Sequence, residues 1–233
     1  MQIVVNHVTR MATDERICVA GIDTETFENI RPTTPRTDLI TRKLLRENGG
    51  PFGPGAVVEI GKVEARPSPP ETEDHLFETA AAEHIEDLTD DEYMALLEEV
   101  IDADIPTAFG PELIEVRPGK LAVPAGEGNR SLAVIEPANP TLQIDNDKLY
   151  LILDRLSGPA KVRVSDVRFH EPDHVTVRRD RVEDVNDRIE SGVPVYTMLG
   201  LAQALRDQKA EMDLHWLMAN GICLADRAVS DIP

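Results

Sequence analysis

Apolar positions in the first 66 residues fall in short runs. Ile3-Val4-Val5, Arg16-Ile17-Cys18-Val19-Ala20 and Ala56-Val57-Val58-Glu59-Ile60 are rich in β-branched residues and bounded by polar or glycine-containing breaks, which predicts strands. Residues 37–48 carry Leu39, Ile40, Leu44 and Leu45 ahead of Gly49-Gly50, a pattern that predicts one helix with a glycine stop. The period then changes. Tyr93, Leu96, Leu97, Val100 and Ile101 repeat at i, i+3, i+4, i+7 and i+8, the stripe of an amphipathic helix. Thr89 followed by Glu92 predicts a capping box, with Leu88 and Tyr93 at the two staple positions. Beyond it, 112–116, 120–123, 131–135, 142–145, 149–153 and 161–164 read as strands separated by turn residues such as Pro118-Gly119 and Gly158-Pro159. Val182, Val185 and Ile189 predict a helix, and 195–212 a second one. Leu214 to Met218, Asn220-Gly221 and Ile222 to Leu224 predict a hairpin, because Asn-Gly supplies the positive φ values of a type I′ turn. The fold class is mainly β with helical insertions (α+β).

Charge divides the chain at the same places. The formal total is −19 over 233 residues. Yet residues 1–66 hold nine basic and nine acidic side chains, and 117–233 hold fifteen and eighteen. Residues 67–116 hold sixteen acidic side chains and no Lys or Arg. That break, preceded by the extended stretch PSPPETED at 67–74, predicts three parts: an N-terminal barrel over 1–66, an acidic helical connector over 67–111 and a C-terminal barrel over 112–233. The acidic face of the connector helix, Asp90, Asp91, Glu98 and Glu99, is the candidate surface for a basic protein partner. A polybasic membrane binder and a generic basic nucleic-acid coat are excluded, and no run of 18 apolar residues spans a bilayer. The N-terminus lacks the pattern of a secretory signal, and two cysteines, Cys18 and Cys223, fit a reducing cytoplasm better than a disulfide framework.

Candidate chemistry is sparse. His170-x-x-x-His174, flanked by Glu171 and Asp173, is the nearest approach to a metal pair, but Pro172 breaks any helix that would align the two rings, so a turn and no metal are expected. Neither Cys has a His nearby in sequence, and the glycine-rich stretch 49–55 lacks the Lys-Ser/Thr ending of a phosphate loop. No catalytic residue and no cofactor are expected. Lys161, Arg163, Arg168, Arg178, Arg179 and Arg181 cluster within 21 residues, with Phe169 and His170 interleaved. A basic string with stacking side chains suits a single-stranded nucleic acid. Arg10, Arg16, Arg31 and Arg36 form a sparser second set. The nucleic-acid candidates are Lys161, Arg163, Arg168, Phe169, Arg178, Arg179, Arg10 and Arg31.

Several strings resemble a known family. Val8-Thr9-Arg10-Met11, Arg16 through Asp23 (RICVAGID), Ile30-Arg31-Pro32 and Pro54 through Glu59 (PGAVVE) are similar to the N-terminal signature of the dual OB-containing domain family. His215 through Leu224 (HWLMANGICL) resembles its closing motif, while Glu71-Thr72-Glu73-Asp74 stands where that family has a His-containing acidic motif. The resemblance implies two divergent OB-like barrels in one unit and a nucleic-acid-binding component of prokaryotic conflict systems, with no catalytic residues to carry over. The resulting expectation is a non-enzymatic cytoplasmic protein that recognises single-stranded nucleic acid or a nucleotide beside an effector protein. The rival is an adaptor that binds protein through the acidic segment alone.

Overall fold

The computed structural model describes residues 1–11, 15–35, 37–155 and 158–226, and Arg36 lies outside them. The first sheet draws on β1 (Gln2–Arg10), β2 (Ile17–Asp23), β3 (Asn29–Thr33), β4 (Ala56–Glu59), β5 (Glu64–Ala65), β6 (Asp74–Leu76) and β7 (Glu83–Asp87), in the order β5-β6-β3-β2-β1-β4-β7. After it come α1 (Asp90–Glu99), β8 (Ile101–Asp102) and α2 (Ile105–Phe109). The second sheet adds β9 (Ile114–Arg117), β10 (Lys120–Pro124), β11 (Leu132–Ile135), β12 (Thr141–Asp145), β13 (Lys148–Leu153) and β14 (Ala160–Val164). Beyond α3 (Arg179–Glu190), it is completed by β15 (Val195–Leu201), β16 (Leu205–Asp207) and β17 (Met212–Leu224). Its main path is β12-β13-β14-β17-β15-β11-β8, with β10 and β16 also paired to β17 and β9 to β10. The fold is mainly β with few helices, as the period-2 runs predict.

Each sheet encloses its own apolar core, and a third cluster fuses them. Val4, Ile22 and Val57 of the first sheet meet Tyr93 and Leu97 of α1 and Val134, Tyr196, Met198 and Cys223 of the second. Residues Ile3 to Thr9 of β1 are therefore all buried, since one face fills its own core and the other faces the second unit. The helix α1 forms as its sequence dictates: Thr89 Oγ1 accepts from Glu92 N, and Glu92 reaches back to Thr89 N.

The acidic stretch 67–111 gives strands to both sheets and sets α1 against the cluster between them. β6 and β7 belong to the first sheet, and β8 pairs with β11 of the second. Many of its carboxylates have partners inside the fold. Glu73 Oε1 accepts from Ser131 N at 2.7 Å and Leu132 N at 3.0 Å, and Ser131 Oγ donates to Oε2 at 2.9 Å, so a side chain of the first unit clamps the start of β11. Asp102 takes both Arg130 Nη atoms at 2.9 Å.

Three sequence expectations are corrected. Residues 37–48 form no α-helix; they make two short 3-10 turns, Arg42–Leu44 and Arg46–Asn48, because Leu45 between them is extended and buried beside Phe52. Residues 195–201 are strand β15, buried at every position, since Leu199 and Leu201 face one core while Tyr196 and Met198 face the other. A fully buried central strand loses the alternation that marks a half-exposed one. Asn220-Gly221 is no turn either. β17 runs unbroken past it, and the pairs Met198↔Gly221 and Leu199↔Ala219 leave Asn220 as the extra residue of a β-bulge.

Candidate nucleic-acid interface

β12, β13 and β14 form an antiparallel meander, and β14 then pairs in parallel with β17. Alternation turns Leu149 and Leu151 of β13, Ala160, Val162 and Val164 of β14, and Leu217 and Ala219 of β17 into the core. The intervening residues therefore share the opposite face: Tyr150, Lys161 and Arg163, Trp216 and Met218. Arg163 lies in register with Tyr150 on one side and Met218 on the other. On the neighbouring hairpin, Lys120 of β10 faces Arg117 of β9, and Ala122 pairs with Trp216.

This pairing assembles a cation–aromatic surface. Lys120 Nζ lies 4.5 Å and Lys161 Nζ 4.4 Å from the centroid of the Tyr150 ring, and Arg117 Cζ lies 5.1 Å from that of Trp216. Lys120 also donates to Lys161 O at 2.9 Å. Partial burial and then the charges of Lys161, Arg163 and Arg117 hold the Lys120 ammonium below its ordinary pKa. Asp145 answers part of this field, taking Lys161 Nζ at 2.6 Å, and its carboxyl is lowered by that bond. Arg117 is paired with Asp207. The first unit contributes Arg10. The end of β1 bridges to Asp166, Arg10 N donates to Ser165 O at 2.9 Å, and the Arg10 pKa is lowered by burial and next by the charge of Arg163.

Of the residues singled out from sequence, Lys161 and Arg163 come together on this face, and Arg10, whose Nη1 donates to His174 O, borders it near Arg163. Arg168 and Phe169 do not. Arg168 is 7% exposed and Phe169 0%, because a 3-10 turn at Val167–Phe169 folds both inward. Asp166, 1% exposed, accepts Arg168 Nη2 at 2.7 Å and Nε at 3.0 Å, and Arg168 Nη2 also donates to Ile222 O at 2.9 Å. Desolvation opposes the Arg168 charge, but the Asp166 carboxylate outweighs it and raises the guanidinium pKa. Arg31 is 8% exposed between Asp74 at 2.5 Å and Glu71 at 3.3 Å. Arg178 lines a cleft between the units, and Arg179 opens α3, exposed and 3.5 Å from Asp147. Arg181 is buried, its Nη1 3.2 Å from Arg168 O.

Sequence reasoning missed Arg117, Lys120, Tyr150 and Trp216. Tyr150 and Trp216 occupy outward positions of alternating strands, which was the available signal. Their convergence across some hundred residues is a product of strand pairing. The acidic candidates Asp90, Asp91, Glu98 and Glu99 are all exposed on α1, and Glu98 Oε1 accepts Tyr196 Oη at 3.3 Å.

Burial raises both thiols, Cys223 to about 11, the reverse of an activated thiolate. Among the described residues no three His, Cys, Asp or Glu side chains converge to hold a metal ion. Nor, among them, is any helix long and apolar enough to cross a membrane.

No curated protein matches the chain in sequence. Among solved structures, a murine DNA-binding protein bound with double-stranded DNA aligns at 7% identity and a TM-score of 0.32, covering 96% of this chain and 97% of that chain. The tetrameric p202 HIN2 aligns at 9% identity and a TM-score of 0.30, covering 96% and 90%. The sequence model of the dual OB-containing domain matches residues 1–174, from β1 through the turn after β14, and the chain belongs to that family.

Proposed function

We propose that this chain is a non-enzymatic binding protein whose ligand is single-stranded nucleic acid, held on the face around Tyr150. The observation that carries the reading is the clustering of Lys120 and Lys161 over Tyr150 and of Arg117 over Trp216, with Arg163 in register between Tyr150 and Met218 and Arg10 at the edge. OB folds hold single strands with a basic groove and ring faces on which bases stack, each base worth about 1–3 kcal/mol. A ring already flanked by ammonium groups offers both contacts within one nucleotide's reach. The family resemblance adds the setting, a prokaryotic conflict system with an effector protein as neighbour, and the unpaired cysteines suit a cytoplasmic location. The exposed acids on α1 would face such a neighbour, whereas Glu73, Asp74 and Asp102 of the acidic stretch are taken up inside the fold.

Fluorescence anisotropy with a labelled oligothymidylate across a salt series tests the reading. Five cations predict a slope of log K against log salt of about −2 to −3.5, since roughly 0.7 ion is released per phosphate contact on a single strand. The pair Lys161→Gln and Arg163→Gln lowers the magnitude of that slope by about 1.4, and Tyr150→Ala costs about 1–3 kcal/mol at every salt concentration. An unchanged slope in the folded double variant removes the face from consideration.

A further inference from the structure

The turn after Phe169 leans on the first unit and encloses two adjoining clefts. The larger, about 800 Å³, is lined by Arg10, Arg42, Lys43, Asn48 and His174 among others. The smaller, about 400 Å³, shares Arg42, Pro172 and His174 with it and adds Arg46, His170 and Arg178. Five cationic side chains thus surround one concavity. Four acids, Glu15, Glu47, Asp87 and Asp173, line the same clefts, and two of them hold cations of the set. Asp173 accepts Val175 N and Thr176 N at 2.8 Å and Thr176 Oγ1 at 2.6 Å, Glu47 pairs with Arg42 at 3.3 Å, and Asp87 with Arg46 at 3.1 Å.

His174 is the most telling group. It is 6% exposed, sits at φ +57° and is anchored through its carbonyl, which accepts Arg10 Nη1 at 2.5 Å. Neither of its ring nitrogens has a hydrogen-bond partner among the described residues, and His170 Nε2 has none either. An unpartnered buried polar group costs about 1–3 kcal/mol, and a strained non-glycine backbone a further ~1–3 kcal/mol. Such costs persist where a ligand recovers them. Burial and then the charges of Arg42 and Arg10 hold the His174 ring below its ordinary pKa, with Asp173 and Glu47 acting against them.

We propose that these paired clefts bind a terminal phosphate, the mono- or oligophosphate end of a nucleotide, with Arg42, Lys43 and Arg10 on the phosphoryl oxygens and the His174 ring donating to one of them. Arginine forks match phosphate geometry, and a cleft of this size accommodates one nucleotide. Two sources carry this chemistry, a free nucleoside phosphate and the phosphorylated end of a strand. The site borders the Tyr150 face at Arg10 but shares none of Arg42, Lys43 or His174 with it, so variants of those three separate the two readings.

Isothermal titration of the full chain with inorganic tripolyphosphate provides the test. Saturable binding is expected, weakened at least about threefold in Lys43→Gln and about tenfold in His174→Gln. Lys43 is exposed, so its variant keeps the test sound even if His174→Gln unseats the turn. ATP binding with no preference between 5′-phosphorylated and 5′-hydroxyl oligothymidylate identifies the free nucleotide as the source. A preference for the 5′-phosphate that Lys43→Gln abolishes identifies the strand end. No saturable heat from tripolyphosphate, or equal affinity in wild type and both cleft variants, overturns the proposal.

Discussion

The Asp166–Arg168 pair lies where β1 of the first unit meets β17 of the second, and its removal is the sharpest test of how the units are joined. Both side chains are buried, and Asp166 accepts from Arg168 N, Nε and Nη2 and from Ile222 N within 3.2 Å. Asp166→Asn keeps the shape and one acceptor but leaves the Arg168 guanidinium uncompensated inside the protein. Breaking one partner of a buried pair costs about 3–5 kcal/mol. For a chain of this size that lowers Tm by about 6–20 °C. Adding Arg168→Met removes the stranded charge, so the double variant is more stable than Asp166→Asn alone, because a buried pair replaced as a whole is far less costly than one that is broken. Urea denaturation followed by both circular dichroism and the fluorescence of the sole tryptophan, Trp216, measures this. The two signals move together if the shared core makes unfolding cooperative. A loss below about 1 kcal/mol in Asp166→Asn, or a double variant weaker than the single, refutes the assignment of Arg168 as an interior structural cation.

Two further outcomes follow from the same junction. Burial lowers His7 to about 3 from an ordinary 6.5 and His170 to about 4, so the unfolded chain takes up protons that the folded one refuses. Stability is full above pH 6.5 and falls as pH drops toward these values, by up to about 1.4 kcal/mol per pH unit for each ring, and His7→Gln flattens the decline in urea midpoints measured between pH 7 and 5. At Gly200 a Cβ would stand 2.0 Å from Asn220 Nδ2, so Gly200→Ala expels the Asn220 side chain from Ser165 Oγ and costs about 1–3 kcal/mol by the same denaturation assay, whereas a neutral result shows that the bulge has room to spare.

What the sequence makes legible is local. The cap at Thr89, the alternation of β13 and β14 and the helical spacing around Val182 depend on neighbours a few residues away, and the structure holds all three. What it hides depends on distant partners. β15 looks helical because burial on both faces erases its period, and Asn220-Gly221 looks like a turn because nothing nearby shows that His7 will press against Gly221. The same logic governs the basic residues. Lys161 and Arg163 are outward because their strand neighbours are apolar, whereas Arg31 and Arg168 meet carboxylates that sequence distance or turn geometry conceals.

The charge pattern itself has a consequence for binding. An overall charge of −19 should repel a nucleic acid, yet four of the five cations of the Tyr150 face sit on β9, β10 and β14, while α1 lies over Tyr196, Met198 and Val134 on β15 and β11. In the strand order β13-β14-β17-β15-β11, two to four strand spacings separate the helix from Tyr150, Lys161 and Arg163. At about 4.8 Å per spacing that is roughly 10–19 Å, beyond the Debye length of about 8 Å at physiological salt. The acids on α1 are therefore nearly invisible to a strand on that face in ordinary salt, and emerge when the screening length grows to about 30 Å at 0.01 M. Neutralising Asp91 and Glu99 to Asn and Gln leaves the Thr89–Glu92 cap intact and tests the separation directly. Oligonucleotide affinity changes less than about twofold at 0.15 M salt and rises at 0.01 M. A large gain already at 0.15 M means that the acidic helix reaches the ligand, and that the strand path runs over α1 rather than along β13 and β14.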